Sequence, residues 1–240
     1  MNRHINEQST KVIFWIVRHG KTMFNLTSRV QGWSDTPLIK EGEAVVRNLS
    51  QGLKSINFDA AYSSDSGRAR QTLKILLENQ PHLNGRFIED WRLRELNFGI
   101  FEGEKDAVMK DEIAKLINQS PLERQESSKP SIFADKVAEL SLQQQGDSSS
   151  WPAENYYTLT NRLKSALLDI TNQHAKLGSN ITPNILIVSH GVAIWALWEM
   201  IDELRGYQGG GIQNASIMKI RVLEDDTFEL IIANDMSYLN

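Results

Sequence analysis

The chain has 240 residues, with 26 Lys and Arg against 30 Asp and Glu, five His and no Cys, for a formal charge of −4. That balance excludes a globally basic nucleic-acid-binding protein, whose footprint is a pI above roughly 9. The missing cysteine excludes disulfides, Cys-ligated zinc or iron–sulfur centres and a thiol nucleophile. At 40% hydrophobic and 23% charged residues, the composition is that of a folded soluble chain, which at this length buries roughly 70–75% of the surface its unfolded form exposes.

Residues 1–10 (MNRHINEQST) are polar and lack the apolar centre of a signal peptide, so a cytoplasmic location is expected. Residues 11–17 (KVIFWIV) form a nearly unbroken apolar run that stops at Arg18-His19-Gly20, which predicts a first core strand covered on both faces. Ala44, Val45, Leu49 and Leu53 recur near helical spacing and predict a helix over 41–54. A short strand follows at 58–62, a helix at 68–79 with Leu73, Leu76 and Leu77, and a weak strand at 86–88. Residues 104–150 differ from their surroundings. They are rich in Lys, Glu, Gln and Ser, with short amphipathic patches at 107–117 and 133–142, and they end in the loop-like QQQGDSSS. This composition could hardly sustain a core of its own, so 104–150 is expected to be an insertion within a single domain spanning 1–240. A long helix is expected over 157–175, a strand over 184–188 (NILIV), a helix over 193–201, and a terminal strand pair at 216–222 and 228–233 joined by the turn Glu224-Asp225-Asp226. The apolar run 185–201 is shorter than the ~20 residues that span a bilayer and is interrupted by Ser189-His190-Gly191, so no membrane association is expected. Strands alternating with helices predict an α/β fold, a mostly parallel central sheet flanked by helices on both faces. Ligands in such sheets sit at the carboxyl ends of the strands.

Two of the five histidines stand in the same kind of place. Arg18-His19-Gly20 follows the first strand and Ser189-His190-Gly191 follows strand 184–188. In both, glycine is expected to let the backbone turn tightly. A single strand-end histidine is ordinarily a core or cap residue, but two in matched contexts on neighbouring strands would bring both imidazoles to one rim. Arg18, with Arg68 after the strand at 58–62, would make that rim cationic and suited to a phosphate dianion, because guanidinium presents planar bidentate donors to oxyanions. Trp195 and Trp198, on the predicted helix 193–201, are expected in the core or an interface rather than as a substrate platform.

Five ordered blocks resemble the histidine phosphatase superfamily, the phosphoglycerate-mutase-like group. Arg18-His19-Gly20-Lys21-Thr22 with Asn25 is similar to the nucleophile motif, and residues 31–38 (QGWSDTPL) to the block after it. Residues 62–72 (YSSDSGRARQT) resemble the second-arginine motif, Leu93-Arg94-Glu95-Leu96-Asn97-Phe98-Gly99 with Phe101-Glu102-Gly103 the acid-bearing segment, and Ser189-His190-Gly191 the second-histidine motif. The resemblance implies that His19 takes the phosphoryl group, that Arg18, Arg68 and His190 hold its oxygens, and that Glu95 protonates the leaving alkoxide. It places Asn25, Gln31, Gly32 and Asn214 in blocks that line the pocket, and residues 104–150 where relatives carry a helical insertion over the active site. It implies a small phosphorylated substrate, with a phosphoprotein left open, and neither a metal nor another cofactor.

The chemistry asks for such a set. A phosphoryl transition state spreads charge over three oxygens, so positioning and electrostatic stabilisation carry the catalysis. An attacking imidazole must be neutral, and adjacent guanidinium groups disfavour its cationic form. The acid must be protonated as the ester oxygen departs, which requires a raised pKa.

Three departures leave the catalytic set intact. Ser66 stands where leucine is common in the family, Ile39 where threonine is, and Ala153-Glu154-Asn155 only approximates Gly-Glu-Ser. A fourth bears on activity: mutases of the family follow the acid with Arg-His-Tyr-Gly, whereas this chain has Leu96-Asn97-Phe98-Gly99. That favours a phosphomonoesterase over a mutase. A non-catalytic phospholigand-binding protein on the same fold is the alternative of another class.

Overall fold

The computed structural model describes residues 10–83, 85–117, 129–145, 151–175, 181–202 and 211–239. Six strands, β1 (Thr10–Arg18), β2 (Ala60–Ser63), β3 (Ile88–Glu89), β4 (Asn184–Ser189), β5 (Ile217–Leu223) and β6 (Phe228–Asp235), form one sheet in the order β3-β2-β4-β1-β5-β6. β3, β2, β4 and β1 run parallel, β5 pairs antiparallel with β1, and β6 antiparallel with β5. Seven helices accompany them among the described residues: α1 (Met23–Leu26), α2 (Lys40–Gly52), α3 (Gly67–Leu76), α4 (Asp106–Ile117), α5 (Pro130–Gln145), α6 (Tyr156–His174) and α7 (Gly191–Ile201).

The apolar runs of β1 and β4 feed two cores, because successive side chains of a strand point to opposite faces. Val12, Phe14, Ile16, Ile185 and Ile187 join one cluster with residues of α4, α5, α6 and α7. Trp15, Val17, Leu186 and Val188 join the other, with Val46 and Leu49 of α2 and Ala69, Leu73 and Leu76 of α3. The sheet is therefore helix-covered on both faces, as the alternation of strands and helices predicts.

Local differences from the expected elements have local causes. The weak strand shifts to Ile88–Glu89, where it pairs Tyr62 with Ile88 and Ser63 with Glu89. The expected helix over 68–79 ends at Leu76 and tightens into a 3₁₀ turn, Leu77–Asn79. A short helix in the first loop, α1, is closed by a capping box in which Thr22 and Asn25 satisfy each other's backbone amides. In the 104–150 segment, α4 and α5 are longer than the patches that announced them, and α5 opens on Pro130, where a proline costs no helical hydrogen bond. Their buried residues, Met109, Ile113, Ile117, Ala134, Val137 and Leu140, complete the first core. Residues 143–145 of the QQQGDSSS stretch are helical, consistent with glutamine's good helix propensity. Residues 146–150 lie outside the described residues, as do 1–9 of the polar amino terminus. Among the described residues no helix is long and apolar enough to cross a membrane.

Candidate active site

The parallel register of β1 and β4 pairs Val17 with Val188 and Arg18 with Ser189. Each strand then ends in a histidine at the same level, and the His19 amide donates to the Ser189 carbonyl at 3.1 Å. The two rings lie 5.2 Å apart at 60°. The glycines that follow serve a different purpose from the expected tight turn, since neither Gly20 nor Gly191 has a positive φ. A Cβ at Gly20 would stand 2.7 Å from Val46 of α2, and one at Gly191 would stand 3.3 Å from the Arg18 guanidinium carbon. Close approach, not backbone conformation, favours glycine at 20, and at 191 a Cβ would crowd the Arg18 side chain by only a few tenths of an ångström.

Hydrogen bonds set the state of His19. Its Nδ1 lies 2.8 Å from the Gly20 carbonyl, which can only accept, so Nδ1 carries the proton. Nε2 then has a lone pair, and Arg68 Nε donates to it at 3.3 Å. Burial, followed by the charges of Arg68 and Arg18, holds the imidazolium well below its ordinary pKa, with the Gly20 carbonyl pulling weakly the other way. Arg68 is itself fully buried. Its Nη1 donates to Ser34 O and Asp35 Oδ1, both at 2.9 Å, and its Nη2 to Gly32 O at 2.7 Å. One N–H on Nη2 has no acceptor among the described residues.

His190 has no exposure, and among the described residues neither ring nitrogen has a hydrogen-bond partner. Burial and then the charge of Arg68 hold it neutral too, well below its ordinary pKa. A buried polar group without a partner is costly and marks a place for a ligand. Arg18, half-buried, donates from Nη1 to the Ile212 carbonyl. Glu95 caps the amino end of α7: Oε1 accepts from the amides of Leu96 (2.9 Å) and Ala193 (2.8 Å), and Oε2 from that of Val192 (2.9 Å). Burial pushes its carboxyl above the usual carboxylate range, against the pull of the three amides and Arg68.

Arg18, His19 and Glu95 line a cavity of about 520 Å³ together with Asn25 and Gln31. Arg68 and His190 lie behind that lining. Two further expected pocket residues act from outside it through the backbone: the Gly32 carbonyl holds Arg68, and Asn214 Nδ2 donates to the His19 carbonyl at 2.9 Å. Gln31 is committed on both sides, accepting from Thr22 Oγ1 at 2.7 Å and donating to Thr36 Oγ1 at 2.8 Å. Trp195 and Trp198 both pack against the first core, as expected, but Trp195 also lines the cavity. Helical context could not foresee that, because α7 starts at the pocket floor. Among the described residues no group of three or more His, Asp or Glu side chains is placed to hold a metal ion.

Several supporting residues carried no assigned role in the sequence. The Glu102 carboxylate accepts from the amides of Gly32, Trp33, Ser34 and Phe98 at 2.8–3.2 Å, and so shapes the loop whose carbonyls hold Arg68. Thr72 Oγ1 accepts from the Gly20 amide at 3.0 Å and donates to the Arg68 carbonyl at 2.8 Å, tying the turn after β1 to the first turn of α3. Arg162, buried on α6, donates to the carbonyls of Arg92, Arg94 and Glu95 and forms a two-point ion pair with Glu154. Glu154 in turn accepts from the Asn97 amide at 2.9 Å. The Glu154 carboxylate of the approximate Ala153-Glu154-Asn155 block thus joins α6 to the segment after Glu95. Arg162 had only its helical position as a signal.

The histidine phosphatase superfamily (branch 1) model matches residues 14–235. A probable phosphoglycerate mutase GpmB of Proteus mirabilis is 30% identical over 208 residues, covering 86% of this chain and 83% of that one. The crystal structure of phosphoglycerate mutase from Bacillus anthracis is similar with a TM-score of 0.82 and 35% identity, over 97% of this chain and 96% of that one. A mycobacterial glucosyl-3-phosphoglycerate phosphatase shares the fold at a TM-score of 0.64 and 22% identity, over 93% and 98% of the two chains. The family match runs from β1 to β6 and takes in both histidine turns: this chain belongs to the histidine phosphatase superfamily, branch 1.

Proposed function

We propose that the protein is a metal-independent phosphomonoesterase that works through a phosphohistidine on His19. One observation carries this reading. The His19 tautomer leaves Nε2 as a neutral nucleophile beside a buried guanidinium, in a cavity that also holds a carboxyl of raised pKa. On entry the phosphate replaces Nε2 as acceptor of the Arg68 Nε–H and takes the remaining Nη2–H, while Arg18 and a His190 N–H meet its other oxygens. Nε2 then bonds to phosphorus as the ester P–O bond breaks, and Glu95 gives its proton to the departing oxygen, releasing the alcohol. Oε1 has both lone pairs taken by amides and Oε2 has one free, so the proton sits on Oε2. In the second step Oε2 takes a proton from water, whose oxygen bonds to phosphorus as the P–N bond breaks, and inorganic phosphate leaves.

The 104–150 insertion, within a single domain, selects the leaving group in this reading; α4 and Phe133 of α5 line the cavity in its support. Phosphoglycerate mutase activity is the second reading, favoured by the names of the 30% and 35% identical relatives. Against it, Leu96 is buried in the core and Phe98 lines the cavity, where relatives that move phosphate between hydroxyls place polar side chains. Release of phosphate from 4-nitrophenyl phosphate, unchanged by chelators and lost in His19→Ala by at least about 10⁴-fold, supports the esterase. Isomerised product from 3-phosphoglycerate with 2,3-bisphosphoglycerate, in place of free phosphate, would make it a mutase. No turnover of any ester would make it a binding protein.

A further inference from the structure

The cavity at His19, at about 520 Å³, falls in the size class of sites that enclose a whole small molecule, so most of it receives the alcohol part of an ester. That part of the wall is apolar. Met109, Ile113 and Ile117 recur every four residues on α4 and present one face to the cavity. Phe98, Phe133 and Trp195, from three different segments, form an unbroken aromatic row, with ring centroids 6.2 Å apart in the first pair and 5.9 Å in the second. Among the described residues the polar groups of this part of the wall are outnumbered by apolar ones, and some are already engaged. Both amide groups of Gln31 serve Thr22 and Thr36, and Arg29 Nη1 donates to the Gly103 carbonyl at 2.7 Å. Asp106 and Lys110, one helical turn apart, bring one charge of each sign, and Lys110 is exposed, which places it at the mouth. A polyhydroxylated alcohol would shed its water against the α4 face and the aromatic row and regain few hydrogen bonds there, since the charges of Arg29, Asp106 and Lys110 lie outside both.

We propose that the substrate is a phosphate monoester of a predominantly apolar alcohol, with a medium-length alkyl, branched or aromatic body lying between the α4 face and the Phe98–Phe133–Trp195 row. The inference rests on the phosphomonoesterase reading and adds to it the class of leaving group. Apolar burial is roughly proportional to the area removed from water, so the signature is a graded response to chain length.

The test is phosphate release from n-alkyl phosphates of two to eight carbons, with 2-naphthyl phosphate, 3-phosphoglycerate and glucose 6-phosphate alongside. The expected result is a kcat/KM that rises about fourfold per methylene until the cavity is full, with 2-naphthyl phosphate at least about 100-fold above both polar esters. Ile113→Asp, which puts a charge on the α4 face, is expected to flatten the rise; the wild-type series decides the matter even if that variant fails to fold. A flat series, or a preference for 3-phosphoglycerate or glucose 6-phosphate, overturns the apolar-ester inference and leaves the esterase standing. Failure to release phosphate from any of these esters overturns both.

Discussion

The two ends of the cavity are built in different ways. At the phosphate end, side chains are held by the main chain: the β1–β4 register levels the histidines, the carbonyls of Gly32 and Ser34 hold Arg68, and α7 amides hold Glu95. At the alcohol end, the wall is made mostly of side chains on α4 and α5 together with Phe98 and Trp195, with few polar anchors among the described residues. Rigid polar placement suits a group whose charge distribution is the same in every substrate. A wall of apolar helix faces suits the part that differs, because a helix can exchange side chains without disturbing the sheet.

Breaking the phosphate end at its acid has the largest expected effect. Glu95→Gln keeps one oxygen to accept from Leu96 and Ala193 but gives up the acceptor that faces the Val192 amide and the acidic proton, so kcat/KM with an alkyl phosphate falls about 10²–10⁴-fold. With 4-nitrophenyl phosphate, whose leaving group needs little protonation, the loss is about tenfold or less. Equal losses on both esters would mean that Glu95 positions α7 without acting as the acid. Next comes the loop support. Glu102→Ala strands four backbone amides, which is expected to lower stability by about 2–4 kcal/mol in urea unfolding. It also lowers kcat/KM by about 10–100-fold through a displaced Arg68, equally for polar and apolar esters, because the alcohol end is untouched. A loss that varied with the alcohol would break the division into two ends.

The mildest perturbation, with no substitution needed, is a change of pH. His19 and His190 are both depressed from 6.5 in the folded state, so the unfolded chain takes up their protons first as pH falls. The stability they carry is complete above pH 6.5 and declines on acidification below it, by up to about 1.4 kcal/mol per pH unit for each histidine. Glu95 works in the opposite direction. Its carboxyl is raised from 4.5, so its contribution is complete below that value and is lost as pH rises through the folded-state pKa. Urea unfolding between pH 5 and 7 should show stability rising with pH, the two histidines outweighing Glu95, and His19→Asn should reduce that slope by up to about 1.4 kcal/mol per pH unit. A flat profile in both proteins would contradict neutral buried imidazoles.

The uneven construction also explains what was legible in the sequence. The strands ending at His19 and His190, the sheet class and the helices on both faces follow from apolar runs and spacing, because those patterns are local. The candidate site residues were readable only through ordered motifs, and the structure brings His19, Arg68, His190, Arg18 and Glu95 together. The support was not readable. Glu102 acts on a loop 68–70 residues earlier in the chain and Arg162 on a segment about as far back, through main-chain atoms that every residue shares. Trp195 was expected in the core or an interface from its helical context alone; it is only partly buried, beside the buried face formed by Ala193, Ile194, Ala196 and Leu197, and it lines the cavity. Gly20 and Gly191 were expected to allow tight turns, but what marks them, the approach of Val46 and Arg18, depends on tertiary neighbours.

The most direct test of the account is to trap the covalent intermediate. Enzyme mixed with a fast-reacting aryl phosphate, quenched in alkali to preserve phosphohistidine and digested for mass spectrometry, should carry one phosphoryl group on the peptide containing His19. The group should be gained and lost at rates matching turnover, and be absent in His19→Ala. Turnover without a phosphoenzyme, or a phosphoryl group on any residue other than His19, would contradict the account.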